Sequence, residues 1–296
     1  MRIVGLKQGD GSVLVGALSD DGTEMAVMAE ADAFWASPEV HLAAPPGRRL
    51  SVDPADLVPP VVKSARVMCV GLNYMDHVKE GSFRDQDLPE FPTLFARWPA
   101  SLSTNGAEIP VPSGEDGLDW EGEVMAWIGS PLVDATPEEA LAAVIGYSTF
   151  NDVTSRRAQK LTSQWIMGKN GDRSGPLGPM VPATEVGDLR DGLQLETRVN
   201  GAVVQHGTTA QMIFGVGETL AHISRNFTIN PGDLLATGTP SGVGYARTPP
   251  WLLQPGDVVE VEIERLGVLT NRIVDNAQRH QAVGSASAGV ATSGVS

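Results

Sequence analysis

Apolar and polar positions alternate with a period of two through much of this chain. In RIVGLKQGDGSVLVGAL (residues 2–18) two such runs flank Gly-Asp-Gly, which predicts a β-hairpin. The next segment, TEMAVMAEADAFW (23–35), predicts a helix. RVMCVGLNY (66–74) has the composition of a buried strand closed by Gly71. VMAWIG (124–129) and VIGYSTF (144–150) are apolar at successive positions, as strands covered on both faces are. LLATGT (234–239) and VVEVEIERLG (258–267) each follow a Pro-Gly-Asp, where glycine supplies the positive φ of a type II turn. With 33 glycines and 21 prolines between short runs, the chain predicts many strands and few helices.

A proline-bearing connector, DPADLVPPVVKSA (53–65), places a boundary near residue 60, with a small N-terminal domain over 1–60 and a main domain over 61–275. The stretch 276–296 ends in GSASAGVATSGVS, which offers no large apolar anchor and is expected to be disordered. The balance of 21 basic against 36 acidic residues, net −15, argues against nucleic acid and anionic membranes as partners. No run is long enough to span a bilayer, and MRIVGLKQGDGS lacks the features of a signal peptide, so a soluble, cytoplasmic protein is expected. The single cysteine, Cys69, sits inside an apolar run and reads as core.

Chemistry enters at GLDWEGEVMAWIG (117–129). Residues two apart on a strand share a face, so Glu121 and Glu123 project side by side with Asp119 behind them. The strand could emerge into water here, leaving the acids solvated. It could equally hold a cation, because buried like charges need one. AAVIGYSTFNDVTSRRAQ (142–159) adds Asp152 at the tip of another apolar run, a plausible third oxygen ligand. Three carboxylates form a hard set suited to Mg²⁺, Mn²⁺ or Ca²⁺ rather than zinc. In GLNYMDHVKEG (71–81), His77 and Glu80 are three apart and face the same way on a helical turn, as a surface pair or as a base with its orienting carboxylate.

The segments VGLNYMDH, PTLFARWPASL, DWEGEVMAWIG, GYSTFNDVTSRRAQ, VNGAVVQHG, INPGDLLATGTPSGVG and PGDVVEVEI occur in the order found in the fumarylacetoacetate hydrolase family, which the chain resembles over about residues 63–275. The resemblance implies an α+β, mostly β fold, a mixed β-sandwich roll with a small N-terminal α/β domain, assembled as a homodimer. It implies a Mg²⁺-type ion (Mn²⁺ or Ca²⁺ being the alternatives) on Glu121, Glu123 and Asp152, with Asp119 as a neighbour. It also implies a catalytic His77/Glu80 pair on a segment that closes over the ion, a lid for which Gly71, Gly81 and GSFRDQDLPEF (81–91) are suited. Lys169 would face the substrate and stabilise an oxyanion. Gln159 and Thr239 would hold the substrate carboxylate, and Tyr74, Arg97 and Arg156 would line the pocket.

The activity so implied is hydrolysis of a carbon–carbon bond in a 1,3-dicarbonyl substrate such as an acylpyruvate, a small diketo acid of the kind met in aromatic catabolism. Isomerisation of a 2-hydroxyhepta-2,4-diene-1,7-dioate or decarboxylation of oxaloacetate is the alternative, and a non-catalytic oxo-acid-binding protein is a remote third. Two positions depart from the family pattern. Arg157 stands where many members carry Asp, and Trp120 where many carry Tyr. The extra cation at Arg157 would either favour a more anionic substrate or face solvent.

Overall fold

The computed structural model of the protein describes residues 1–45, 47–80 and 90–277, without the side chains of 77–79. The lid segment and the tail therefore lie largely outside the described residues. Among these residues the strands form three sheets. The first, in the order β4-β3-β2-β1-β5, is antiparallel and comprises β1 (Ile3–Lys7), β2 (Val13–Leu18), β3 (Glu24–Glu30), β4 (Arg49–Ser51) and β5 (Leu57–Val58). The second contains β6 (Val67–Gly71), β7 (Thr93–Arg97), β8 (Leu102–Thr104), β10 (Gly122–Ile128), β11 (Val144–Asn151), β12 (Gly175–Leu177), β13 (Val181–Pro182) and β16 (Leu234–Ala236). The third runs β15-β14-β17-β18-β9, from Ala202–Thr208, Gln194–Val199, Val258–Ile263, Gly267–Val274 and Glu108–Pro110. Parallel pairs β16/β6, β12/β8 and β18/β9 interrupt an otherwise antiparallel pattern, so the fold is α+β and mostly β, with mixed sheets.

The hairpin predicted over 2–18 forms as β1 and β2. The helix predicted over 23–35 forms only in its second half, Ala31–Ala36, whereas Glu24–Glu30 is β3. The reason is tertiary. β3 lies between β2 and β4, where its backbone groups find ladder partners, and Met25 is buried among Val4, Leu6 and Val52. Gly232 and Gly256 take positive φ of 88° and 102° in the two Pro-Gly turns.

The central pair β10/β11 explains most of the core. Val124, Ala126, Ile128 and Tyr147 face one cluster, which includes Leu220, Ala221 and Ile223 of the helix Val216–Ser224. Met125, Trp127 and Phe150 face another cluster shared with Ile3, Val15, Phe34 and Trp35. Here the Trp35 and Trp127 rings stack at 5.7 Å, which joins the N-terminal segment to the central sheet. At the opposite end of β10 the third sheet approaches so closely that a Cβ on Gly122 would lie 2.5 Å from the Thr197 hydroxyl. Among the described residues no helix is long and apolar enough to cross a membrane.

Trp127 is fully buried, and its indole N–H donates to the Ser148 hydroxyl at 2.9 Å. Trp127→Ala should cost about 3–5 kcal/mol, through lost burial and the cavity left behind. Urea unfolding of the two proteins checks this, the midpoint falling in the variant.

Candidate active site

Glu121, Glu123 and Asp152 meet because of strand register. β10 and β11 pair with Gly122 opposite Asn151 and Glu123 opposite Phe150. The ladder continues past the strand ends, where the Asp152 N–H donates to the Glu121 carbonyl and Asp119 pairs with Thr154. Residues directly opposite share a face, so Asp152 stands across from Glu121 and beside Glu123. This is the face that carries Met125 and Trp127 further along. It begins as core and ends in carboxylates.

None of the three is solvated. Glu121, Glu123 and Asp152 are 6%, 1% and 0% exposed, and a ligand oxygen from each lies within 4.8 Å of the others. Lys169, also buried, donates to Glu121 at 2.7 Å and to Asp152. Arg156 pairs with Glu121 at 2.7 Å and with Asp119 at 2.8 Å. Arg97 pairs with Asp152 from behind. Four carboxylates thus face three cations among the described side chains, and Glu123 is the one without an ion pair. Its oxygen accepts the Gly238 N–H at 2.9 Å. Burial, reinforced by Asp152 and Glu121, holds the Glu123 carboxyl well above the usual carboxylate range. Burial opposes charge on Lys169, but Asp152 and Glu121 outweigh it and raise the ammonium above its ordinary value. The two carboxylates thus favour the charged form of Lys169.

A cavity of about 350 Å³ opens onto this cluster, lined by Glu121, Glu123, Arg156, Gln159, Lys169 and Thr239 among others. The Gln159 carbonyl oxygen accepts from Arg156 at 3.0 Å, which leaves the amide nitrogen as the end that can donate to a ligand. The Thr239 hydroxyl donates to the Gly122 carbonyl at 2.9 Å and accepts from Gln205 at 2.8 Å. The donor set, all oxygen, anionic and one charge in excess, fits a hard divalent cation.

Other expected residues lie elsewhere. Arg97, read as substrate-binding, is fully enclosed, and its guanidinium is taken up by Asp152, Ser174 and the Val153 carbonyl, so it steadies a candidate ligand instead of facing the cavity. Tyr74 is 1% exposed in the core, and burial, with Glu123 nearby, raises its phenol. Neither lines the cavity. Glu80 ends the helix Met75–Glu80, and both its oxygens accept the Gly242 N–H, at 3.0 and 2.8 Å. The His77 side chain lies outside the described residues. Arg157 donates to the Gly114 carbonyl at 3.0 Å and lines a separate cavity, so it does not reach the acids.

Asp119 has a larger part than its sequence position suggests. Its carboxylate accepts the backbone N–H groups of Trp120, Gly244 and Tyr245 at 2.9, 2.7 and 3.0 Å, besides pairing with Arg156. It ties the loop around residue 244 to the cation that holds Glu121. The glycines of ATGTPSGVGYA were the available signal: Gly238 at φ +90° aims its N–H at Glu123, and a Cβ on Gly244 would strike the Trp251 carbonyl at 1.9 Å. Trp120, the departure from Tyr, donates its indole N–H to the Gly242 carbonyl at 3.1 Å and so braces the same loop.

Residues 66–274 match the family model described as fumarylacetoacetate (FAA) hydrolase C-terminal. The chain belongs to the FAA hydrolase family. It is similar to the mitochondrial oxaloacetate tautomerase FAHD2A of Homo sapiens, at 38% identity over 218 residues, 73% of this chain and 68% of the relative. Among solved structures it is similar to the 5-carboxymethyl-2-hydroxymuconate delta-isomerase of Mycobacterium smegmatis (30% identity, TM-score 0.74, 93% of this chain and 100% of that one). It is also similar to the fumarylpyruvate hydrolase of Pseudomonas aeruginosa solved with Mn²⁺ and pyruvate (33% identity, TM-score 0.65, 74% and 91%). In this FAA hydrolase family protein the acidic triad can hold a divalent metal ion.

The surplus carboxylate makes stability depend on pH. Folded Glu123 keeps its proton above the ordinary value of 4.5, so over the interval above that value the native state binds more protons than the unfolded chain. By linkage, stability then falls as pH rises through this interval. With divalent cations chelated, the unfolding free energy of the wild type relative to Glu123→Gln should decline as pH rises above 4.5. A difference that stays level across that range would count against the raised proton affinity.

Proposed function

We propose that this protein is a divalent-cation-dependent enzyme that works through the enolate of a small 2-oxo dicarboxylic acid, with keto–enol tautomerisation of oxaloacetate as the first reading. One observation carries it: buried Glu121, Glu123 and Asp152 converge beside the buried Lys169, which donates to Glu121 and Asp152, at the end of a cavity sized for a small molecule. The tautomerase among the relatives supports the choice of substrate.

Glu121, Glu123 and Asp152 would hold the cation, which when bound supplies the Lewis acidity that makes a proton next to a ketone removable. The chain's own groups do the rest. Lys169 presents its ammonium to the oxygen on which charge develops, and being anchored to two carboxylates it needs no reorganisation at that moment. The Gln159 amide nitrogen would hold the 2-oxo acid end, and Thr239, whose hydroxyl proton is committed to the Gly122 carbonyl, forms part of the cavity wall. The His77/Glu80 pair would pass the proton between carbon and oxygen, and of the two Glu80 is anchored to the cavity loop by the Gly242 N–H.

Hydrolysis of an acylpyruvate is the second reading, favoured by the likeness to the fumarylpyruvate hydrolase. It needs the same cluster, with the His77/Glu80 pair activating water instead of moving a substrate proton. Substrate choice separates the two.

With Mg²⁺ or Mn²⁺ present, the ultraviolet absorbance of enol oxaloacetate should decay faster with the protein than without it, and chelation should abolish the effect. A protein that left this decay unaltered, yet placed ¹⁸O from labelled water in the acid released from an acylpyruvate, would move the assignment to hydrolysis. Inertness towards both would overturn the enolate reading. Lys169→Met should lower kcat by about 10²–10³-fold, the usual cost of losing one oxyanion donor.

A further inference from the structure

The cavity holds a cation that the proposed chemistry leaves unused. Arg156, Lys160 and Lys169 are the cationic residues among its described lining. Arg156 spends its Nε on Asp119, one terminal nitrogen on Glu121 and the other on Gln159. Lys169 is shared between Glu121 and Asp152. Lys160 pairs with no carboxylate among the described residues. Its ammonium lies 3.5 Å from the centroid of the Tyr245 ring. A cation over an aromatic face is held in place but not neutralised, and it keeps N–H donors for another acceptor.

Its position is set by the same scaffold as the acids. Lys160 is the residue on which the short helix Arg156–Gln159 ends, and Arg156 at the start of that helix pairs with Asp119. Tyr245 gives its backbone N–H to the other side of this pairing, at the same Asp119 oxygen. One buried carboxylate therefore fixes both the lysine and the ring beneath it. Lys160 is exposed whereas Glu121 and Glu123 are buried, so it stands at the solvent end of the cavity and the carboxylate cluster at the inner end.

We propose that Lys160, seated on Tyr245 at the cavity mouth, is the specificity-determining residue that selects substrates bearing a second carboxylate remote from the 2-oxo acid end. This rests on the enolate reading above. A chain of net charge −15 disfavours the approach of a dianion, and a cation at the entrance is what offsets that repulsion locally. The inner end holds the 2-oxo acid, and the outer carboxylate meets Lys160. A monoanionic 2-oxo acid gains nothing from it.

The test compares oxaloacetate with its 4-methyl ester, which lacks the outer charge, in wild type, Lys160→Met and Lys160→Arg, all loaded with Mn²⁺. In Lys160→Met the ratio of kcat/KM for the dianion to that for the ester should fall about tenfold or more, through KM, as expected on losing one charge-assisted hydrogen bond. Lys160→Arg should restore most of it. An unaltered ratio, or an equal fall for both substrates, would overturn the proposal while leaving the enolate reading intact. Should the wild type turn over neither compound, the tautomerase reading fails. Calorimetric binding of 2-oxoglutarate and 2-oxobutyrate then decides on Lys160 alone, the proposal requiring that Lys160→Met weaken the first about tenfold more than the second.

Discussion

The site turns on an unequal count of charges in a place without water. Asp119, Glu121, Glu123 and Asp152 are gathered around Arg97, Arg156 and Lys169, and among the described residues the carboxylates outnumber the cations by one. In bulk water such an excess would be trivial. Inside the protein it must be met by a proton, by a cation or by loss of structure. Glu123 bears that demand, so the chemistry the site can do and the cost of keeping it folded are the same electrostatic fact. A divalent cation held by Glu121, Glu123 and Asp152 would take the place of that proton.

Around this imbalance the protein arranges three kinds of support. Strand register brings the acids to one face, so their convergence follows from the backbone ladder and not from flexible side chains. Arg97 and Lys169 approach Asp152 from different directions and limit its freedom. Asp119 takes a role of another kind, joining Arg156 to the backbone of the loop at Gly244 and Tyr245. That loop supplies part of the cavity wall and the ring on which Lys160 rests. A residue that touches no substrate can in this way govern both ends of a cavity.

The relatives and structural neighbours span tautomerase, isomerase and hydrolase names. Under the proposed enolate reading, the need they would share is an enolate to be stabilised. A buried anionic cluster able to hold a divalent cation, beside a buried ammonium, would be general to that need. The outcome of the reaction then depends on what delivers or removes protons and on what recognises the rest of the substrate, which are properties of the cavity entrance and not of its floor.

Much was legible without coordinates. The buried strands at 67–71, 122–128 and 144–151, the first hairpin and the Pro-Gly turns all follow from local periodicity and from what glycine and proline permit. Candidate ligands could be named because Glu-x-Glu on a strand and Asp at the tip of another are local patterns. Local pattern failed where long-range pairing prevailed: Glu24–Glu30 carries helix-forming residues but joins a sheet, because neighbouring strands satisfy its backbone. Nor does local pattern place Arg97 against Asp152, Asp119 between Arg156 and the backbone at Gly244 and Tyr245, or Lys160 over the Tyr245 ring. Whether a charged side chain faces a cavity, backs a ligand or rests on an aromatic ring depends on partners tens of residues away, and no property of the chain near it encodes that. The sequence alone settled which residues could do chemistry; only the tertiary structure decided which of them share one desolvated space, since charge interactions become decisive only where water has been excluded.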